Sequence, residues 1–320
     1  MILHEIYLSI VVAIIVCLIS GTVLIPFLRK LNFKQYVRTD GPRAHLQKSG
    51  TPTMGGIMFF LSLTLTIVFV HGINSRLAIL LLVTLGFGII GFFDDFIKVV
   101  MKRPLGLKAK EKIFGQVILS GVFAYIAIVY LERGTDVIIP GTSVGIDLGW
   151  LYVPFVILVM VGTNNAVNLT DGLDGLATGV TAFTALAYLM ITKTWGIIDL
   201  SIFSAALLGS CLGFLFFNIH PARVFMGDTG SLALGGAVGS LAVLTKTELL
   251  LLIVGGVYVL ETLSVILQVS YFKISRGQRL FLMSPLHHHF ELLGWSEQRV
   301  VFTFWSMAAL FAALAVTIMI

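Results

Sequence analysis

Charge is what this chain has least of. Only 12% of its 320 residues are Asp, Glu, Lys or Arg, against 58% hydrophobic residues and a mean hydropathy of +1.00. That balance excludes an ordinary soluble domain. Cysteine is nearly missing too: Cys17 and Cys211 stand singly in apolar runs, which excludes a disulfide framework and a thiolate metal site and leaves packing as their role. No polar stretch is long enough to be a separate domain, the longest being 29–55, 98–112, 132–149 and 273–299, so residues 1–320 are read as a single polytopic membrane domain. The first apolar run lacks a basic stretch before it and a small-residue cleavage pattern after it. It is therefore expected to stay as a helix rather than be removed as a signal peptide.

What the chain has in abundance is spanning runs. With about 20 apolar residues needed per crossing, ten helices are expected near Ile6–Leu28, Gly56–Val70, Leu77–Phe93, Ile113–Leu131, Leu151–Val161, Leu176–Ile191, Leu200–Phe217, Leu232–Leu244, Leu249–Phe272 and Val300–Ile320. The fifth and eighth are too short as written, so polar neighbours such as Asn164, Gly230 and Ser231 must extend them, as is tolerated where a helix lines a cavity. Gly255-Gly256 offers a bend within the ninth. The odd-numbered loops hold 17 of the 21 Lys and Arg residues, while Arg76, Arg133, Lys193 and Lys246 fall one to each even-numbered loop. Basic residues are retained in the cytoplasm, so both termini are expected outside. In the outer segment, Val137–Leu148 (VIIPGTSVGIDL) sets a Pro-Gly turn between β-branched residues and predicts a small hairpin. The fold class is an all-α integral membrane protein carrying this one hairpin.

Five polar blocks interrupt the apolar sequence: Asp40 to Gly56 (DGPRAHLQKSGTPTMGG), Gly91 to Asp95 (GFFDD), Asn164 to Gly175 (NNAVNLTDGLDG), Phe225 to Ser231 (FMGDTGS) and Pro285 to Glu291 (PLHHHFE). Carboxylates beside hydrocarbon are costly and mark function by default. The charge-derived topology, which uses no acidic residue, puts all five blocks on the cytoplasmic side. Asp94 and Asp95 end the third helix, Asp171 and Asp174 stand between the fifth and sixth, and Asp228 follows the seventh. If Asp171 begins the sixth helix, the spacing of three puts Asp174 on its face near the positive helix end.

Converging carboxylates repel unless cations are present. Oxygen donors without cysteine suit a hard ion such as Mg2+, which uses one or two carboxylates together with substrate phosphates. Lys48, Lys98, Lys102, Arg103, Lys108, Lys110 and Lys112 surround them, and a metal with a basic rim suits a phosphorylated substrate. Taken singly, such lysines are more often topology determinants or lipid-headgroup contacts, and a lone Asp at a helix end is more often a cap. Adjacent histidines rarely aim at one ion, so His287, His288 and His289 are read as hydrogen-bonding groups for a phosphate or for the carboxylates. Glu261 and Gln268 fall inside the ninth span, where an ionisable group is a functional candidate. Gly86–Gly91 (GFGIIG) fits a dinucleotide-binding pattern but lies inside an apolar helix rather than after a strand, so close helix packing is the better reading. Asn168-Leu-Thr170 is formally a glycosylation site but falls in a cytoplasmic loop.

These blocks, in this order and spread from Asp40 to Glu291, resemble the bacterial phospho-N-acetylmuramoyl-pentapeptide transferase family. The aspartate blocks are similar to those of the wider polyprenyl-phosphate sugar-1-phosphate transferases, whereas GTPTMGG and the triple histidine resemble the muramoyl branch. The resemblance implies a ten-helix homodimeric enzyme of the bacterial cell membrane, with its active site on the cytoplasmic face. It would need Mg2+ and pass phospho-N-acetylmuramoyl-pentapeptide from UDP to undecaprenyl phosphate, giving lipid I and UMP for peptidoglycan synthesis. Carried over by motif, Asp228 would bind Mg2+, with Asp171 as a further candidate ligand. Asp94, Asp95 and His287 would act in catalysis. Asn168, Asp171, Gly172, Leu173, Asp174, Asn218, Phe225 and Gln268 would form the nucleotide site, with Phe225 stacking on uracil. Lys48, Lys98, Lys110, His288 and His289 would hold phosphates. No nucleic-acid partner is expected.

The lipid phosphate is already mostly anionic near neutral pH, given a second pKa of about 6, so alignment and charge neutralisation should matter more than a strong base. Direct in-line attack is expected, the competing scheme being an aspartate nucleophile. Two other functions fit parts of the pattern: a sister transferase taking a UDP-N-acetylhexosamine, and a secondary transporter, whose carboxylates should lie near the bilayer midplane.

Overall fold

The computed structural model describes residues 2–31, 33, 50–101, 103 and 106–320. Lys48, Lys102 and the block from Asp40 as far as Ser49 lie outside the described residues. The chain runs as α1 (Ile2–Lys30), α2 (Gly56–Val70), α3 (Ser75–Val99), α4 (Ala109–Val129), β1 (Asp136–Ile138), β2 (Gly145–Asp147), α5 (Tyr152–Thr170), α6 (Leu176–Thr194), α7 (Ile198–Asn218), α8 (Gly227–Leu244), α9 (Leu251–Val254), α10 (Gly256–Ile274), α11 (Leu286–Leu292) and α12 (Glu297–Met319). Among the described residues, α1, α3, α4, α5, α6, α7, α10 and α12 are the eight helices long and apolar enough to cross a membrane; α2 is apolar but shorter.

Where the apolar pattern was ambiguous, polar residues extend the helices. α5 continues through Asn164, Asn165 and Asn168 to Thr170, and α8 begins at Gly227, carrying Asp228 in its first turn. The ninth run breaks at Gly255 into α9 and α10. Asp171 and Asp174 stand between α5 and α6 as read from the sequence, but the conditional placement of Asp171 at the start of α6 does not hold: Asp171 caps the end of α5, and Asp174 lies in the turn before Leu176. Gly175, at φ +79°, makes that turn and is itself the cap of α6, a left-handed conformation that glycine adopts without steric cost.

Helices α6 and α7 are buried over 78% and 83% of their most apolar windows, whereas α1, α4, α10 and α12 reach only 28%. The first pair forms the centre; the others turn large apolar side chains such as Val11, Ile15, Phe114 and Leu310 outward, as a lipid-facing rim requires. Close approach comes from small residues. A methyl on Gly91 would collide with the Asp228 backbone, so α3 and α8 meet where the aspartates are.

The hairpin pairs antiparallel with Val137 opposite Ile146. It is fastened to the far end of α8: buried Arg133 donates to the Val243 carbonyl at 2.9 Å and to Glu248 at 2.5 Å, Tyr152 donates to the same Glu248 oxygen at 2.6 Å, and Lys246 pairs with Asp136 at 2.6 Å. The described parts of the polar blocks gather at the opposite end of the bundle.

Candidate active site

The site is built around the first turn of α8. Asp95, buried on α3, accepts the Asp228 backbone N–H at 3.1 Å through Oδ1, and through Oδ2 the Thr229 N–H at 2.8 Å and hydroxyl at 2.7 Å. A carboxylate from α3 thus satisfies N–H groups that the start of α8 leaves without helical partners. Asp94, one residue earlier, accepts the Leu107 N–H at 2.9 Å through Oδ1 and pairs through Oδ2 with Lys98, one turn along the same helix.

Asp228 collects the cations. Its Oδ2 lies 2.8 Å from Lys112 Nζ and 3.2 Å from Lys98 Nζ, while Oδ1 accepts the Asn168 side-chain amide at 3.1 Å. Asn168 in turn accepts from Lys112 at 3.2 Å and donates to Ser231 at 2.8 Å. The same three helices are pinned one turn deeper. Gln116, four residues after Lys112, donates to Asn164 at 3.3 Å, and Asn164, four residues before Asn168, donates to the carbonyl of Leu232, four residues after Asp228, at 2.9 Å. Asn165 adds a bond to Gln116 at 2.7 Å. Amides used this way between spans fix the register of α4, α5 and α8, and hence the spacing of the charged layer above them.

The aspartate turn 171–174 sits beside this layer and is held from several elements. Buried Asn218 at the end of α7 accepts the Gly175 N–H at 3.2 Å and the Thr178 hydroxyl at 2.9 Å, and donates to the Val224 carbonyl at 3.1 Å. Asp174 accepts the Ala222 N–H at 3.0 Å and lies 3.1 Å from His220 Nδ1; its own N–H donates to Glu297 at 2.8 Å. His220 also contacts Glu297 at 3.2 Å. Leu173 is buried in the apolar core. Half-buried Phe225 donates its N–H to the Pro52 carbonyl at 2.8 Å and accepts the Gly55 N–H at 2.9 Å, so the GTPTMGG block docks against FMGDTGS.

The three histidines do not act as one group. His287 is buried, with Nδ1 3.2 Å from Glu261; His288 Nδ1 lies 2.8 Å from Glu291; His289 Nδ1 accepts the Leu282 N–H at 3.2 Å. Gln268 spends its amide on the preceding loop, accepting from Leu280 at 3.0 Å and Phe281 at 2.8 Å and donating to the Phe281 carbonyl at 3.1 Å.

Among the described residues, two groups of side chains are close enough to hold an ion: Asp94, Asp95 and Asp228, and Asp174, His220 and Glu297. The first is all-oxygen and fits a hard cation; its Asp228 is flanked by Asp94 and Asp95, and Asp171 is not in the group. In the second, His220 already bridges the two carboxylates. Lys98 pairs with both Asp94 and Asp228, whereas Lys110 is exposed on the first turn of α4. Lys112 takes the place beside Asp228. Nothing local in the sequence ranks it above its six basic neighbours. His220 and Glu297 were missed altogether, being 77 residues apart with no shared motif; Thr229 and Ser231 were signalled only by lying in the Asp228 block.

Residues 77–246 match the family described as Glycosyl transferase family 4, and residues 48–60 match the phospho-N-acetylmuramoyl-pentapeptide-transferase signature 1. The chain is similar nearly end to end to curated proteins of that second name. It is 53% identical to the one from Halalkalibacterium halodurans over 97% of this chain and 96% of the relative. Identity is 56% to that of Desulforamulus reducens over 94% and 92%, and 52% to that of Bacillus subtilis over 97% and 96%.

Proposed function

Since this chain belongs to the phospho-N-acetylmuramoyl-pentapeptide-transferase family, we infer that it transfers phospho-N-acetylmuramoyl-pentapeptide from its UDP-linked donor to undecaprenyl phosphate, leaving UMP and forming lipid I. The observation that carries this reading is the convergence of Asp94, Asp95 and Asp228 with Lys98 and Lys112 at one end of a bundle of apolar helices. A water-soluble diphosphate and a lipid phosphate can meet there.

An oxygen of the lipid phosphate attacks the phosphorus next to the sugar. The bond from that phosphorus to the bridging oxygen breaks, and UMP leaves with the electron pair. Lys98 and Lys112 supply positive charge to the phosphate oxygens as the bridging bond lengthens, the kind of fixed charge on which phosphoryl transfer depends. Asp94, with one oxygen on the Leu107 N–H and the other on Lys98, orients the acceptor phosphate or removes its residual proton. Asp95 is a positioning residue: both its oxygens are spent on the first turn of α8, which fixes Asp228. Asp228 would hold Mg2+, which supplies charge neutralisation to the diphosphate when bound. The turn 171–174, Asn218 and Phe225 would take the uridine, with the Phe225 ring as a stacking surface.

The distribution of Lys and Arg supports a cytoplasmic site, ten crossings and both termini outside. The membrane is the bacterial plasma membrane, and the working form is a homodimer. The test compares donors: purified protein with Mg2+ and undecaprenyl phosphate should release UMP from UDP-N-acetylmuramoyl-pentapeptide and not from UDP-N-acetylglucosamine. Faster release from the second donor would make it a sister transferase, and substrate uptake into vesicles without UMP release would overturn the enzyme reading.

A further inference from the structure

Glu261 has no part in the chemistry above, yet it is fully buried in the middle of α10. Such a residue inside a span needs a reason. Its carboxylate faces His287, whose Nδ1 lies 3.2 Å from Glu261 Oε2. The pair is close but not aligned as a formed hydrogen bond. Both carboxylate oxygens and both ring nitrogens are buried with no other partner among the described residues. Buried polar atoms are almost always paired, and exceptions concentrate at functional sites.

The other edge of the His287 ring identifies what the pair serves. Its Nε2 and adjacent ring carbons fill the space where a side chain on Gly172 would stand. His287 is therefore wedged between a carboxylate on α10 and the backbone of the turn that carries Asp171 and Asp174. Around that turn, Asn218 holds Gly175, Glu297 holds the Asp174 N–H, and Ala222 and His220 hold the Asp174 carboxylate. At Gly172 the contact comes from His287. Gln268, one face along α10, ties the loop before α11 to the same helix, so α10 fixes the histidine from both the loop and the ring.

We propose that Glu261 is a positioning residue for the donor nucleotide: through His287 it sets the place of the Gly172 backbone and so of the aspartate turn. Its role is to accept from Nδ1–H and fix the ring, since a carboxylate partner on one nitrogen decides the tautomer at the other. Gly172 is required to be glycine by the same contact.

The proposal rests on the transferase reading, and wild-type turnover tests that reading separately. Glu261→Ala, Glu261→Gln, His287→Ala and the double Glu261→Ala/His287→Ala variant are compared as full-length protein in detergent, with thermal melting as the folding control. UMP binding is measured by calorimetry, and UMP release is measured with each substrate varied in turn. Glu261→Ala and His287→Ala should each weaken UMP binding and raise the donor KM by about tenfold, with the lipid-phosphate KM within about twofold. The double variant should be no worse than His287→Ala, because the glutamate acts through the ring. Glu261→Gln keeps an acceptor and should recover most of the loss. Additive losses in the double variant would overturn the proposal. So would a fall in Vmax with both KM values and UMP affinity unchanged, or a Glu261→Gln no better than the alanine variant.

Discussion

The two oxygens of Asp228 have different tasks: Oδ1 is held by Asn168, and Oδ2 faces Lys112 and Lys98. Lys112 is anchored by Asn168 as well, so its ammonium is fixed in place before any substrate arrives, and fixed charge is what a developing phosphate charge rewards. Lys112→Met should therefore lower kcat/KM about 100-fold, the scale of losing one preorganised charge contact, with melting temperature little changed; a rate near wild type would remove Lys112 from the site. The Thr229 hydroxyl donates to Asp95. Thr229→Val keeps the shape but takes the hydroxyl from Asp95 Oδ2, leaving a buried carboxylate one donor short. Removing a hydrogen bond to a charged group costs about 1.5–3 kcal/mol, which should appear as a lowered thermal midpoint in detergent, and a variant as stable as wild type would contradict the positioning role of Asp95.

At the scale of elements, the hairpin and the far end of α8 form a clasp remote from the site. Arg133 and Glu248 are both buried, with Tyr152 on the same glutamate oxygen. Removing one partner of a buried pair leaves an uncompensated charge and costs about 3–5 kcal/mol. Arg133→Met should thus melt early while the donor KM of the folded fraction stays at the wild-type value. Beside it, the Lys246 hydrogen bond holds the Asp136 carboxyl below the usual carboxylate range. A group whose folded pKa is depressed contributes stability above its unfolded pKa and loses it as pH falls through the folded one, so this contact weakens only in acid. It is partly exposed and should be small and salt-sensitive. The helices themselves were legible in the sequence because apolar runs of spanning length have few other uses, and the polar extensions of α5 and α8 were expected from their shortness. The start of α6 at Leu176, with both aspartates before it, was legible as well; what was not is the left-handed Gly175 that makes the turn, so the conditional reading of Asp171 as the start of α6 failed. Gln268 was assigned to the nucleotide by motif, while its three hydrogen bonds go to the loop at 280–281, a partner that no local pattern reveals.

Over the whole molecule, charge asymmetry and carboxylate placement are independent signals that agree, since one uses only Lys and Arg and the other only Asp. The sequence could show that the blocks share a side but not which members touch. The six basic residues between 98 and 112, together with Lys48, look equivalent on paper, and only the approach of α4 to α8 singles out Lys112. A C-terminal fusion tests the topology: an exported reporter such as alkaline phosphatase should be active there and a fluorescent protein dark, and the reverse would remove an odd number of crossings from the account. The central claim is direct transfer at Asp228, and single-turnover UMP release tests it. With UDP-N-acetylmuramoyl-pentapeptide and Mg2+, wild-type protein should release UMP only when undecaprenyl phosphate is added, and folded Asp228→Asn should be slower by about 1,000-fold or more. A stoichiometric burst of UMP without the lipid, or an Asp228→Asn rate near that of wild type, would contradict it.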